Sequence, residues 1–157
     1  MFKKFSKNSA LAGWTNKGFT IEEIEEIESE YLNGMTFPKA YKEFLFLAGK
    51  HTFIEADIMD WDWMIEEAEE RFEQYNIPKI KRPIWITDQL DQCEQFGFIY
   101  LDEGVEDPII YNCRPGYVQF GDKLIKRRPQ GTFSNYINIC VERAKIIDKS
   151  LKKRGNI

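Results

Sequence analysis

The sequence predicts an α+β fold in which a helical first half precedes an antiparallel β-meander of about three to five strands and a closing helix. Three observations predict it. Residues 19–75 repeat apolar side chains at helical spacing, residues 83–128 contain short β-rich runs between turn residues, and residues 132–148 return to the helical period. Helices followed by a block of strands are typical of an antiparallel sheet with segregated helices.

Two helices are predicted before residue 50. The first covers residues 20–32, where Thr20 is the N-cap and Glu23, three residues later, completes a capping box. The second covers residues 38–48, and Gly49 is expected to end it as a left-handed cap. The polar face of the first helix is expected to hold six acidic residues, Glu22, Glu23, Glu25, Glu26, Glu28 and Glu30. The apolar face of the second helix is formed by Phe37, Tyr41, Phe44, Leu45 and Ala48.

The remaining elements follow from the apolar pattern. Residues 53–59 are interpreted as a strand or an irregular lead-in, and a third helix begins at Asp60 or Asp62 and ends at Tyr75. The closing helix begins near Thr132 and frays beyond Asp148. Strands are predicted over residues 83–87, 96–101, 108–112 and 117–120, with residues 124–128 as a short edge segment closed by Pro129 and Gly131.

The chain is predicted to be one domain of 157 residues, with residues 1–18 as a loosely ordered arm and residues 149–157 as a loosely ordered tail. No run of about 18 uncharged apolar residues predicts a membrane span, and the basic N-terminus lacks the apolar stretch of a signal peptide. Cys93, Cys113 and Cys140 are widely spaced and odd in number. This pattern favours a reducing compartment, and we expect a cytoplasmic protein.

Charge is distributed unevenly along the chain. Residues 21–75 contain sixteen Asp or Glu and four Lys or Arg residues, a net charge of −12. Residues 122–157 contain ten basic and three acidic residues, a net charge of +7. The acidic half argues against nucleic acid as a partner and is compatible with a basic partner protein. Two solvated helix faces would produce the same charge pattern without any partner.

No motif for catalysis or cofactor binding is present. Phosphate loops, nucleotide fingerprints and nucleophile elbows are all missing, so no cofactor is expected. The single histidine, His51, has no orienting acid or nucleophile near it in sequence and is interpreted as a loop residue. The acidic group Glu55, Asp57, Asp60 and Asp62 lacks the Gly and terminal Glu of a Ca²⁺ loop, so no metal site is predicted. The chain is therefore predicted not to be an enzyme.

The second helix carries a family resemblance. Phe37-Pro38, Tyr41, Phe44-Leu45 and Ala48-Gly49 resemble the Leu-Pro-x-x-Tyr-x-x-Phe-Leu…Asn-Gly signature of the SUKH superfamily. Phe37 stands where that signature usually has Leu, and Ala48 where it has Asn. The order of elements over residues 19–145 is also similar to that of the family. The group includes fungal cell-wall-synthesis regulators and many bacterial immunity proteins.

The resemblance implies a binding domain without catalytic residues. The expected function is an immunity protein that neutralises a cognate toxin. The expected toxin is a basic nuclease, because an acidic inhibitor associates quickly with a basic target. The expected contact surface surrounds the first and third helices, where two tryptophans lie among acids. The predicted contact residues are Asp57, Asp60, Trp61, Asp62, Trp63, Glu66 and Glu70.

Two other function classes remain open. A regulatory or scaffold domain of the cell-wall-synthesis-regulator type would bind a stable cellular partner instead of a toxin. An enzyme acting on sugars would need two acids about 5 to 10 Å apart in a cleft, and sequence spacing does not test that separation.

Overall fold

In a computed structural model, the structure describes residues 1–2, 5–11, 13–54 and 60–155. The chain forms two compact units. The helical unit comprises Met1–Ala56, Val105–Asp107 and Thr132–Ile157, and the sheet unit comprises Asp57–Gly104 and Pro108–Gly131. The elements along the chain are β1 (Ala10–Leu11), β2 (Trp14–Thr15), α1 (Ile21–Tyr31), α2 (Lys39–Ala48), α3 (Trp61–Gln74), β3 (Ile84–Leu90), β4 (Gln95–Tyr100), β5 (Ile109–Cys113), α4 (Pro115–Val118), β6 (Ile125–Thr132) and α5 (Phe133–Lys153).

The predicted fold class is confirmed, since the structure combines helices with a four-stranded antiparallel sheet and a C-terminal helix. The strand order is β3-β4-β5-β6, which is the order along the chain and therefore a meander. No described helix is both long and apolar enough to span a bilayer.

Helix α2 is the centre of the helical unit's core. Tyr41, Phe44 and Leu45 are completely buried on the face that the sequence pattern predicts. The Phe133 ring, at the start of α5, packs 5.2 Å from Tyr41 and 5.7 Å from Phe44, measured between ring centroids. The backbone N–H of Ala40 donates to the Glu106 carbonyl at 2.9 Å, which satisfies a free donor in the first turn of α2.

The ends of α1 and α2 show which capping predictions hold. The capping box of α1 is present, because the Thr20 hydroxyl accepts from the Glu23 N–H at 3.2 Å and the Glu23 carboxylate accepts from the Thr20 N–H at 2.8 Å. The prediction of a left-handed Gly49 is wrong, since its φ is −65°. Glycine is needed at position 49 because there is no room for a side chain. A Cβ there would lie 2.6 Å from the Phe19 ring and 2.8 Å from the Leu45 backbone.

Glu28 is not on the solvated face of α1, where the sequence analysis places it. It lies four residues after the buried Ile24 and is itself buried. Its carboxylate accepts the Phe37 N–H at 2.7 Å and lies 2.9 Å from Lys42 Nζ. The buried acid therefore orients the turn that leads into α2, and the hydrogen bonds offset its desolvation.

The ends of the chain take part in the helical unit. Phe2 and Phe5 are buried within the first 18 residues, and Phe5 stacks on Phe44 at 6.0 Å between ring centroids. Residues 10–15 contain the short antiparallel pair β1 and β2. Helix α5 extends to Lys153, beyond Asp148, where the sequence analysis expects it to fray.

The sheet unit packs α3 against one face of the four strands. The shared core consists of Met64, Ala68, Phe72, Ile86, Phe96, Phe98 and Cys113. Strand β3 is longer than predicted and does not end at Asp88, which lies within the strand after a bulge. Asp88 stays in the strand because Arg128 of β6 neutralises it in a buried ion pair.

Residues 117–120 do not form the predicted strand. Pro115 begins the short helix α4, and the Tyr117 N–H donates to the Arg114 carbonyl at 3.1 Å. The next turn closes from the Phe120 N–H to the Tyr117 carbonyl at 3.0 Å. A four-residue alternation is too short to distinguish a strand from a local helix, and the preceding proline favours the helix.

The edge segment predicted at residues 124–128 is part of the longer strand β6, which includes Pro129 and lies at an edge of the sheet. Proline is tolerated there because an edge strand has unpaired N–H positions. Before α3, Phe53 and Ile54 are not in a strand, and residues 55–59 lie outside the described residues.

Candidate partner-binding surface

Most of the predicted contact residues lie at or after the N-terminus of α3. Asp60 is the N-cap, and its carboxylate accepts the Trp63 N–H at 3.1 Å. This cap fixes the first turn and with it the direction of the side chains that follow. Asp57 belongs to the predicted set but lies outside the described residues.

One stripe of α3 combines an exposed tryptophan with acids. Trp63 is 42% exposed, and Glu66 and Glu70 follow it at steps of three and four, both exposed. Residues at these steps are neighbours on a helix surface. Asp62 is also exposed beside them. We call the set Asp62, Trp63, Glu66 and Glu70 the α3 stripe.

Trp61 does not belong to this stripe. It lies on the core side of α3, where its ring makes an edge contact with Trp85 at 5.4 Å between ring centroids. Two tryptophans separated by one residue point to different sides of a helix, because each step turns the chain by about 100°. The structure therefore brings Trp63, Glu66 and Glu70 together and leaves Trp61 in the packing of the sheet unit.

Some acids of α3 form ion pairs with Lys or Arg, and others do not. Glu67 lies 3.6 Å from Arg71, and Glu69 lies 2.9 Å from Lys79. Within the part of the chain that the structure describes, Glu66 and Glu70 form no ion pair. Among the described residues, the acids of α3 that form no ion pair therefore include Glu66 and Glu70 of the α3 stripe.

At the other end of α3, a polar cluster holds the helix to the β3–β4 turn. The Tyr75 hydroxyl donates to Glu94 at 2.6 Å, and Arg71 lies 3.4 Å from the same carboxylate. The hydrogen bond to Glu94 raises the pKa of Tyr75, so the phenol stays protonated. Arg71 is therefore shared between Glu94 and Glu67, and the cluster ties the end of α3 to the β3–β4 turn.

Glu73 is an exposed acid outside the predicted contact set. It follows Glu66 and Glu70 at steps of seven and three, so it extends the same face of α3. The signal was present in the sequence as helical spacing.

Helix α1, in the helical unit, carries its own acidic face. Glu22, Glu25, Glu26 and Glu30 are exposed. Glu23 is compensated by Lys50 at 2.5 Å, and this contact together with the Thr20 N–H lowers the pKa of Glu23. Since α1 has no exposed aromatic anchor at its centre, it supplies charge rather than a packing site.

No group of three or more His, Cys, Asp or Glu side chains in the described residues has the arrangement of a metal site.

A family model supports the resemblance found in the sequence. The SMI1 / KNR4 family (SUKH-1) matches residues 18–136, which include α1, α2, α3, the sheet and the start of α5. No curated protein and no solved structure gives a significant match to the chain. The match covers well over half of the sequence, and the chain belongs to the SMI1 / KNR4 family (SUKH-1).

Proposed function

We propose that this chain is an immunity protein that binds and neutralises a cognate bacterial toxin, without catalysis of its own. The family is one whose members are often immunity proteins. The observation that carries the proposal is the α3 stripe, in which Trp63 is exposed beside Glu66 and Glu70, two acids that form no ion pair among the described residues. An aromatic anchor inside a charged rim is the composition of tight protein interfaces.

The charge of the stripe supports a basic toxin, of which a nuclease is the best candidate. A nuclease must attract a phosphate backbone and is therefore positively charged around its active site. An acidic inhibitor gains association rate from long-range attraction to such a surface. We expect the toxin–immunity association rate to fall steeply as ionic strength rises.

The decisive experiment is co-expression with the toxin encoded beside the gene, with growth as the readout. The wild-type chain should restore growth. Trp63→Ala and the double variant Glu66→Lys/Glu70→Lys should weaken binding by about 10- to 100-fold and reduce protection. Glu142→Lys, which reverses one exposed charge on α5, is a control for charge reversal away from α3 and should keep full protection.

Two results would contradict this proposal. One is undiminished killing by every toxin encoded next to the gene. The other is full protection by the Trp63→Ala variant, which would remove α3 from the contact even if neutralisation were real. Circular dichroism of each variant separates lost contact from lost folding.

The family membership also favours a second candidate, a regulatory domain with a stable cellular partner, since the superfamily includes cell-wall-synthesis regulators. Affinity purification of the full chain distinguishes the two. Recovery of one stoichiometric housekeeping complex through the α3 stripe would favour this candidate, whereas recovery of the neighbouring gene product favours immunity.

A further inference from the structure

A groove of about 200 Å³ lies in the helical unit, apart from the elements used above. Its lining residues are mainly apolar and come from β2, the segment before residue 55, and α5. We call it the α5 groove, and it is lined by Trp14, Phe53, Cys140, Arg143, Ala144, Ile147 and Leu151.

One wall of the α5 groove is an exposed but immobilised tryptophan. Trp14 is 57% exposed, and its ring stacks on His51 at 5.1 Å between ring centroids. His51 Nδ1 lies 2.8 Å from the Thr15 carbonyl, and the His51 backbone forms a bridge with Lys17. The histidine, interpreted above as a loop residue, therefore holds Trp14 in position.

The floor of the groove is a stripe of α5. Cys140, Ala144, Ile147 and Leu151 recur at steps of four, three and four, so they lie on one face. Cys140 and Ala144 are buried, whereas Ile147 is 40% exposed. Partial exposure of Ile147 beside Trp14 leaves apolar area that a second molecule can cover.

Arg143 gives the groove its charge. In the described part of the chain, Arg143 forms no ion pair, whereas Lys145 lies 2.9 Å from Glu142 and Lys152 lies 2.8 Å from Asp148. A guanidinium without an ion-pair partner beside an apolar floor attracts a carboxylate. It can form a bidentate ion pair with it, through two parallel N–H···O hydrogen bonds.

We propose that the α5 groove is a docking site for an acidic amphipathic segment of a partner protein, which inserts one large apolar side chain between Trp14 and Ile147 and pairs a carboxylate with Arg143. The volume suits a single large side chain, and the charge selects an acidic neighbour. The stacking of Trp14 on His51 favours one position of the ring, which lowers the entropy cost of binding. This contact lies in the helical unit and is independent of the α3 stripe.

The test is a fluorescence-anisotropy titration of the full chain with a labelled peptide. The probe is a peptide of about fifteen residues with Leu at i, i+3, i+4 and i+7 and Glu elsewhere, long enough to form a helix when docked. A control peptide replaces every Glu with Lys. The acidic peptide should bind at least about tenfold more tightly than the basic one.

Two matched pairs of variants locate the binding. Arg143→Glu and Ile147→Asp should each weaken binding of the acidic peptide by at least about tenfold. Lys149→Glu is the control for Arg143→Glu, because it makes the same charge change on an exposed residue of α5. Ile146→Asp is the control for Ile147→Asp, because Ile146 is 68% exposed and does not line the groove. Both control variants should bind the acidic peptide as the wild type does.

Three outcomes of the titration would overturn the proposal. They are absence of binding by the acidic peptide, equal binding of both peptides, and equal effects of Ile146→Asp and Ile147→Asp. Concentration-dependent self-association in sedimentation that Ile147→Asp abolishes would also overturn it, because the groove would then be covered by a second copy. The titration requires no toxin, so its failure leaves the proposed immunity function untouched.

Discussion

Arg128 of β6 forms a buried ion pair with Asp88 of β3, with Nη2 2.9 and 3.0 Å from the two carboxylate oxygens. The two residues belong to strands at opposite edges of the four-stranded sheet. The Arg128 Nε donates to Asn112 of β5, and Thr87 donates to Asp88 at 2.9 Å. This network connects the first and last strands of the sheet through side chains.

We expect removal of either partner of this pair to destabilise the chain strongly. Asp88→Asn or Arg128→Met leaves one buried charge without its counter-ion, which costs about 3 to 5 kcal/mol. Urea denaturation monitored by circular dichroism measures the loss. Glu69→Gln, which breaks the exposed Lys79–Glu69 pair, is the control and should cost about 1 kcal/mol or less. Equal losses in the two experiments would contradict the prediction.

Gly97 allows this pair to form. A Cβ at Gly97 would overlap the Asp88 carboxylate and the Arg128 guanidinium and lie 2.9 Å from the Thr87 hydroxyl. Gly97→Ala should therefore destabilise the chain by about 1 to 3 kcal/mol. Combining it with Arg128→Ala should give less than the sum of the two losses, because the second change removes one of the overlapping groups. Strict additivity would show that the methyl group is accommodated elsewhere.

Cys113 should be unreactive in the folded chain. Burial raises the pKa of its thiol to about 12, from an ordinary value of 9.0. The nucleophilic thiolate is therefore scarce at pH 8, and a thiol reagent should label Cys113 only after denaturation. Mass spectrometry of peptides labelled before and after unfolding provides the measurement.

The same shift makes stability depend on pH. The folded state keeps the Cys113 proton up to about pH 12, whereas the unfolded state releases it near pH 9. The stabilisation is complete below pH 9 and is lost as pH rises from 9 toward 12. Wild type should therefore lose more stability than Cys113→Ala over this range, and identical pH slopes for the two proteins would contradict the assignment.

The two neighbouring tryptophans of α3 should separate stability from binding. Trp61→Ala removes the edge contact with Trp85 and should cost about 2 to 4 kcal/mol. Trp63→Ala removes an exposed side chain and should cost about 1 kcal/mol or less. Thermal denaturation of the two variants compares them directly. If Trp63→Ala is the more destabilising, the exposed ring has a structural role and the α3 stripe loses its anchor.

Structural features that depend on residues close together in the sequence were predicted more successfully than contacts between distant residues. The capping box of Thr20 and Glu23 depends on atoms three residues apart, so its prediction is confirmed. The buried orientation of Glu28 depends on its contacts with Phe37 and Lys42, which lie in the next element. Hydropathy alone places a glutamate on the solvated face, and that placement is wrong.

In the sheet, too, local features were predicted correctly and contacts between distant residues were not. The apolar runs predict β3, β4 and β5. The prediction that Asp88 ends β3 is wrong, because its partner Arg128 lies 40 residues away and no local pattern identifies it. For the candidate surface, helical spacing places Glu66 and Glu70 on one stripe with Trp63. The separation of Trp61 from that stripe depends on which face meets Trp85, and no pattern within α3 alone identifies the partner.

Strand β6 lies at an edge of the sheet, and its composition affects how the protein behaves at high concentration. An open edge can template pairing with a strand of another chain and begin aggregation. Lys126 and Arg127 are exposed on this strand, and Pro129 removes one hydrogen-bond donor from it. Lys126 lies 2.6 Å from Asp122, so the Arg127 cation and the proline are the features of β6 that disfavour pairing with a strand of another chain.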